Sequence, residues 1–286
     1  MNKTVGSLVG QASRPPEPDQ ELEVTDALRR FLTPPAALRN LRREDEILGL
    51  ARRGEFVLEP GTENPQERIT FYRWASTGRR HSEKRILLFH GWGGKAAQFF
   101  AFIPELQQRG FSVVAFDAPA HGNSGGQLTS GPAFARASLE LVRRVGPVEG
   151  LVAHSLGAMA AAIALAQGLL ARRVVMLAPL VYILPTLEIF IERENIRPKV
   201  AEALRRRFRA RYEERVVDIP HLARNFRMPA LILADPADPE VPRGGAEATV
   251  TAWPEATLQA VHKAGHWRIL RDRGAIEMAG DFLTQG

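Results

Sequence analysis

An α/β fold, with a mostly parallel central sheet and helices on both faces, is predicted for this chain by three observations. From Arg85 onward short apolar runs alternate with helical stretches, the pattern of a sheet wound with right-handed crossovers. Runs such as Ile86-Leu87-Leu88-Phe89 and Leu231-Ile232-Leu233 are apolar without interruption, as strands buried on both faces must be. The residues able to carry chemistry follow the ends of these runs, at the edge where an open α/β sheet binds ligands.

Taken in order, residues 1–20 are polar, include Arg14-Pro15-Pro16-Glu17-Pro18, and read as a flexible extension. Residues 21–54 show helical spacing at Leu22, Ala27, Leu28, Phe31 and Leu32, then, beyond Pro34-Pro35, at Leu38, Leu41, Ile47 and Leu48. They predict two helices packed on the main domain, with no chemistry evident in them. Phe56–Glu59 and Ile69–Trp74 read as strands joined by the turn-rich 60–65 segment, forming an antiparallel edge. Arg85–His90 and Ser112–Phe116 are strands, with a helix over Phe99–Arg109 between them. A helix (Pro132–Val145), a strand (Leu151–Ala153), a helix (Ala158–Leu170) and a strand (Val174–Ala178) follow.

Pro179 and Pro185 interrupt this alternation, and residues 180–226 form a helical insertion that divides the core into 55–179 and 227–286. Within it Val200, Leu204, Phe208, Tyr212 and Val216 recur every four residues. Arg205, Arg206, Arg207, Arg209, Arg211 and Arg215 fill other positions, which predicts an amphipathic helix with an exposed arginine-rich side. The alternation resumes with the strand Ala230–Ala234, a helix over Gly245–Trp253, the strand Thr257–Val261 and a closing helix over Ala275–Leu283.

Composition narrows the function classes. No cysteine is present, which removes disulfide scaffolds, thiolate metal sites and cysteine nucleophiles. The net charge of +6 would suit an anionic partner, but the 38 basic residues are spread along the chain and no nucleic-acid motif is visible, so no nucleic-acid partner is expected. Neither a signal-peptide run nor a stretch of transmembrane length occurs, and the expectation is a cytoplasmic protein without stable membrane insertion.

The stretch Gly150-Leu-Val-Ala-His-Ser-Leu-Gly157 is a strand, a sharp turn and the start of a helix, with Ser155 at the tip. A serine hydroxyl is a weak nucleophile unless a base takes its proton and an acid orients that base. His266, in a Gly-His loop after the last predicted strand, is the candidate base, ahead of His90, His121, His154, His221 and His262. Asp235 and Asp238 both follow the strand Ala230–Ala234 and either could be the acid. The glycines of His90-Gly91-Trp92-Gly93-Gly94 let the backbone approach a ligand closely and aim its N–H groups.

These motifs resemble the α/β-hydrolase family over roughly Phe56–Leu283, the interior of the insertion excepted. Ala153-His-Ser-Leu-Gly157 resembles the G-x-S-x-G nucleophile elbow with Ala153 in place of the first glycine. The resemblance implies an α/β-hydrolase fold with a helical lid inserted late in the sheet, and a triad in the family's order Ser155, Asp238, His266. Asp238 is favoured because Asp238-Pro-Glu-Val-Pro242 resembles the family's D-x-x-V-P acid loop, while Asp235 would cap its turn. The backbone N–H groups of Leu156 and Trp92 would form the oxyanion hole, and the Trp92 indole either lines the pocket or only packs. Asp117 and His121-Gly-Asn-Ser124 resemble another recurrent loop, expected to be structural. No cofactor or metal is implied.

The expected activity is hydrolysis of a small-molecule carboxylic ester or related acyl bond. Thioester, amide or C–C hydrolysis and acyl transfer remain open on the same machinery, as does lipase action on aggregated substrate. Serine rather than aspartate at the nucleophile position argues against dehalogenase and epoxide-hydrolase chemistry. A non-catalytic module that binds a ligand or a protein is the alternative of another class. Fold alone does not set the substrate, and the oligomeric state is open.

Overall fold

The structure is a computed structural model that describes residues 18–36, 41–59, 67–77, 84–212 and 217–285. Helix α1 (Pro18–Leu32) takes in the last three residues of the expected extension, and the rest of that extension lies outside the described residues. Asp19 and Glu21 in its first turn favour the positive end of the helix dipole. Helix α2 (Arg42–Gly49) is tied down by the Trp74 indole N–H, which donates to the Ile47 carbonyl at 2.8 Å.

Strands β1 (Arg52–Leu58) and β2 (Glu67–Trp74) pair antiparallel, from Arg52 opposite Arg73 to Leu58 opposite Glu67. β1 begins four residues before the predicted start, because Arg52, Arg53 and Glu55 lie on an exposed edge strand, where charge blunts the unpaired edge and hides the strand from hydropathy. The 60–65 connection lies outside the described residues.

Next come β3 (Arg85–Phe89), a short 3-10 turn (Ala96–Phe99), α3 (Phe102–Gln108), β4 (Ser112–Phe116), α4 (Gly131–Val145), β5 (Gly150–His154), α5 (Leu156–Ala166) and β6 (Arg173–Leu177). The insertion is α6 (Ile183–Arg193), α7 (Pro198–Arg211) and α8 (Ile219–Ala223). Pro185 stands in the first turn of α6, where its missing N–H would have had no helical partner, so it is tolerated inside the helix. α7 stops at Arg211, and Arg215 and Val216 lie outside the described residues. The chain closes with β7 (Ala230–Ala234), α9 (Gly245–Ala252), β8 (Ala256–Ala260), α10 (Gly265–Arg268) and α11 (Arg273–Thr284).

One eight-stranded sheet runs β1-β2-β4-β3-β5-β6-β7-β8, antiparallel across β1-β2-β4 and parallel thereafter. From β3 the chain steps outward to β4 and then returns to the other side of β3 as β5. That reversal opens a crevice between the carboxyl ends of β3 and β5, the place where such sheets bind ligands. One face of the sheet carries α1 and α4 to α8, the other α2, α3 and α11. α5 is buried on all sides because its alanines let the sheet, α4 and α8 close around it. Among the described residues no helix is long and apolar enough to cross a membrane.

α5 meets β3 most closely at Gly157, where an added Cβ would lie 2.6 Å from the Phe89 carbonyl oxygen and closer still to that of His90. The tight position of the elbow is therefore its last residue, and fully buried Ala153 fits without strain. Replacing Gly157 by alanine should overpack this contact and lower stability by about 1–3 kcal/mol, measured as a reduced midpoint in urea unfolding.

Candidate active site

Ser155 joins β5 to α5 with φ 52° and ψ −121°, a conformation that non-glycine residues rarely adopt. The surroundings hold it there: its N–H donates to the Leu177 carbonyl at 3.1 Å, and its own carbonyl accepts from Leu180 at 3.1 Å and Ala158 at 3.0 Å. The turn lifts the hydroxyl off the end of the sheet.

His266 comes to that hydroxyl from β8, in the first turn of α10. Its Nε2 lies 2.9 Å from Ser155 Oγ, and its Nδ1 lies 2.8 Å from Asp238 Oδ2. A carboxylate can only accept, so Nδ1 carries the proton and Nε2 presents its lone pair to the serine. The other Asp238 oxygen accepts from the Glu240 N–H at 2.8 Å, which fixes the carboxylate plane. The side chains of His266 and Asp238 are only 4% and 2% exposed, so water scarcely competes for these bonds.

Asp235 has a different task. Its two oxygens accept from the N–H groups of Ala237 at 3.0 Å and Gly265 at 2.7 Å, bonds that hold its carboxyl below the ordinary carboxylate range. It thereby caps its own turn and pins the loop that presents His266. His262 is exposed, and His221 lies in α8, so neither joins this group.

His90, His121 and His154 sit beside the site as buried linkers. His154 donates from Nε2 to the His266 carbonyl at 2.8 Å, tying the elbow to the His266 loop. His121 donates from Nδ1 to the Pro119 carbonyl and accepts at Nε2 from the Gly93 N–H, both at 2.9 Å, so it fixes the glycine loop after β3. His90 donates to the Gly91 carbonyl at 2.8 Å and accepts from the Ala118 N–H at 3.0 Å. Burial pushes all three down, His90 to about 4 and His121 and His154 to about 3. Asp117, raised by burial, accepts from the N–H groups of Ala96 and Asn123, each at 2.8 Å, and so braces the same loop.

That loop lies hard against the elbow. A Cβ on Gly91 would stand 2.9 Å from both Ser155 Cβ and His154 Nδ1, so only glycine fits. The N–H groups of Trp92 and Leu156 have no hydrogen-bond partner among the described residues, and Leu156 is the first residue of α5, at the positive end of its dipole. Among the described residues no cluster of three or more His, Asp or Glu side chains is placed to hold a metal ion.

A cavity of about 650 Å³ opens over Ser155, Leu156 and His266, within the size range of small-molecule sites. Trp92 and Met159 line it from the sheet side, and α6 and α7 roof it through Ile183, Phe190 and Phe208. Phe31, Leu32 and Pro35 line it as well, so α1, expected to pack on the main domain, also borders this cavity. The arginine-rich side of α7 is likewise not simply exposed: Arg207 pairs with Glu21 of α1 and Arg205 with Glu188 of α6. The complementary acids lie far away in sequence, where the spacing of α7 could not reveal them.

Residues 86–278 match the sequence model of the alpha/beta hydrolase family. The chain belongs to that family. No match is found among curated proteins. Among solved structures, an esterase from Pyrococcus furiosus is similar to this hydrolase with a TM-score of 0.64 at 20% identity, covering 88% of this chain and 96% of that one. A bromoperoxidase from Bacillus anthracis is similar with a TM-score of 0.64 at 16% identity, over 82% of this chain and 100% of that chain. Est1E from Butyrivibrio proteoclasticus, solved with ferulic acid bound, reaches 0.59 at 14% identity, over 80% of this chain and 96% of that chain. Likeness at these identities shows the fold of the hydrolase.

The three buried histidines make the hydrolase acid-sensitive. Their folded values lie below the ordinary value of about 6.5, so their contribution to stability is complete above that pH. As the pH falls, the unfolded chain takes up protons that the folded chain refuses, at about 1.4 kcal/mol per histidine per pH unit. Asp117 works in the opposite sense, one group against three. The thermal unfolding midpoint should therefore fall steadily from pH 6.5 toward the value of about 4 at His90, read by calorimetry across a pH series.

Proposed function

We propose that this α/β hydrolase is a serine hydrolase that cleaves a small-molecule carboxylic ester through an acyl-enzyme on Ser155. One observation carries the reading: Ser155 Oγ, His266 and Asp238 form a buried hydrogen-bonded relay with separations of 2.9 and 2.8 Å. In this mechanism His266 Nε2 takes the serine proton as Oγ attacks the carbonyl, and Asp238 holds the imidazole tautomer and stabilises its cationic form. The N–H groups of Leu156 and Trp92 receive the oxyanion, each well-placed donor lowering the barrier by about 3–4 kcal/mol. His266 returns the proton to the leaving alcohol and then activates the water that releases the acid. α6 and α7 serve as the lid over the acyl site.

The strained backbone at Ser155 supports the same reading, since strain of that kind persists where it positions a reacting group.

Ser155→Ala should lower p-nitrophenyl ester hydrolysis by about 10⁴-fold or more and abolish fluorophosphonate labelling, with an unchanged circular dichroism spectrum. Full activity in that variant, or a wild-type protein that the probe leaves unlabelled, would sink the proposal, the second outcome favouring a binding module. Asp238→Asn should cost about 10³–10⁴-fold in kcat. Asp235→Asn, which loosens the base loop without touching the imidazole, should cost about tenfold or less.

A further inference from the structure

The cavity that opens on Ser155 is closed at α1 by aromatic side chains. Phe31 packs edge-on against Phe190 of α6, with ring centroids 5.2 Å apart, and against Phe208 of α7 at 5.7 Å. All three rings line the cavity with Ser155 and His266. Phe31 is held from several sides. The Leu32 carbonyl accepts from the Thr129 N–H at 2.8 Å, which ties the end of α1 to the start of α4. Arg30 pairs with Glu194 at 2.6 Å, and Glu21 and Glu23 pair with Arg207 and Arg197, which tie α1 to the insertion. Pro35 packs on Gly93 of the loop that carries Trp92, its Cγ 2.8 Å from where a Cβ on that glycine would lie.

We propose that α1 is a wall of the substrate site, and that Phe31 closes an apolar subsite for the longer, aliphatic or aryl arm of the ester and so sets the length of arm accepted. The inference rests on the Ser155 reading above. α1 lies outside residues 86–278, the part of the chain matched to the family model. A ring that served only to fill a core would leave no open volume beside it, whereas Phe31 borders the cavity and is only half-buried. The arm is apolar because Arg30 and Glu194 neutralise each other there, and Arg193 and Glu240, which also line the cavity, are solvent-exposed.

The test compares wild type with Phe31→Ala and Phe31→Trp on two ester series, p-nitrophenyl acetate to laurate and the acetates of ethyl to octyl alcohol. Phe31→Ala should move the optimum of at least one series to longer arms, the long-to-short ratio of kcat/KM rising by ~4-fold per methylene newly accommodated. Phe31→Trp should move the same optimum to shorter arms, and it keeps the test decisive if the alanine variant fails to fold. Unshifted optima in both series, or an equal loss on every ester, would overturn the subsite. Fluorophosphonate labelling runs in parallel. A labelled wild type with unshifted optima removes the role of Phe31 alone, and an unlabelled wild type removes the Ser155 reading and this inference with it.

Discussion

The left-handed backbone of Ser155 is the constraint on which the rest of the site depends. A residue held at φ 52° and ψ −121° stores about 1–3 kcal/mol of strain, and it stays there only if its neighbours over-determine it. They do so through the chain on both sides: β6 receives the serine N–H at Leu177, while Leu180 and Ala158 donate to its carbonyl. Gly157 then brings α5 against the end of β3, which leaves no room for the turn to relax. One strained residue thereby couples β3, β5, β6 and α5, the elements around the point where the sheet reverses direction.

The second layer is built from neutral imidazoles. An imidazole that is not protonated has one donor and one acceptor about opposite each other, so a single ring can bridge two loops through their backbones. His121 and His90 do this between the 117–121 loop and the glycine loop, and burial keeps both neutral. His154 bonds on one side only, and its Nδ1 is buried without a partner among the described residues, facing the space that Gly91 leaves open. Burying that lone pair unpaired weakens the site by about 1–3 kcal/mol. The return is a bond from the elbow to the backbone of His266, which keeps the His266 imidazole and the Ser155 hydroxyl in register.

Much of this was legible along the chain, for a physical reason that also sets the limit. The parallel strands are buried on both faces, so their hydropathy is unbroken, and Ala230–Ala234 and Ser112–Phe116 stand where the apolar runs predict. Ser155, Asp238 and His266 could be nominated because each follows a strand whose end is marked by glycine or proline. What pairing across space decides could not be read. β1 is polar because it is an edge, so its first half escaped. Asp235 and Asp238 stand three residues apart with equal claims on composition alone; the resemblance favoured Asp238, and their tasks separate in space, where Asp238 meets His266 Nδ1 and Asp235 accepts from the Gly265 N–H. The contribution of α1 to the cavity wall was invisible because Phe31 stands over a hundred residues from Ser155, in a stretch whose apolar spacing says helix and nothing more.

The attachment of α1 shows which forces hold that wall. Its charged pairs with the insertion are conspicuous, but the Arg197–Glu23 pair is 70% and 43% exposed, and solvent screening leaves such pairs contributing little. Beneath them Val24, Ala27, Leu28 and Leu32 recur at helical spacing and are buried in the core that also holds Leu204 and Phe208. Full burial of a Val or Leu side chain contributes roughly 1.5–3 kcal/mol, so the apolar stripe outweighs the ion pairs by several-fold. The pairs add register: acids on one helix and arginines on the other leave α1 a single rotation that matches both the stripe and the charges. That rotation is the one that turns Phe31 toward Phe190 and Phe208, so the stripe and the charges together set the shape of the cavity.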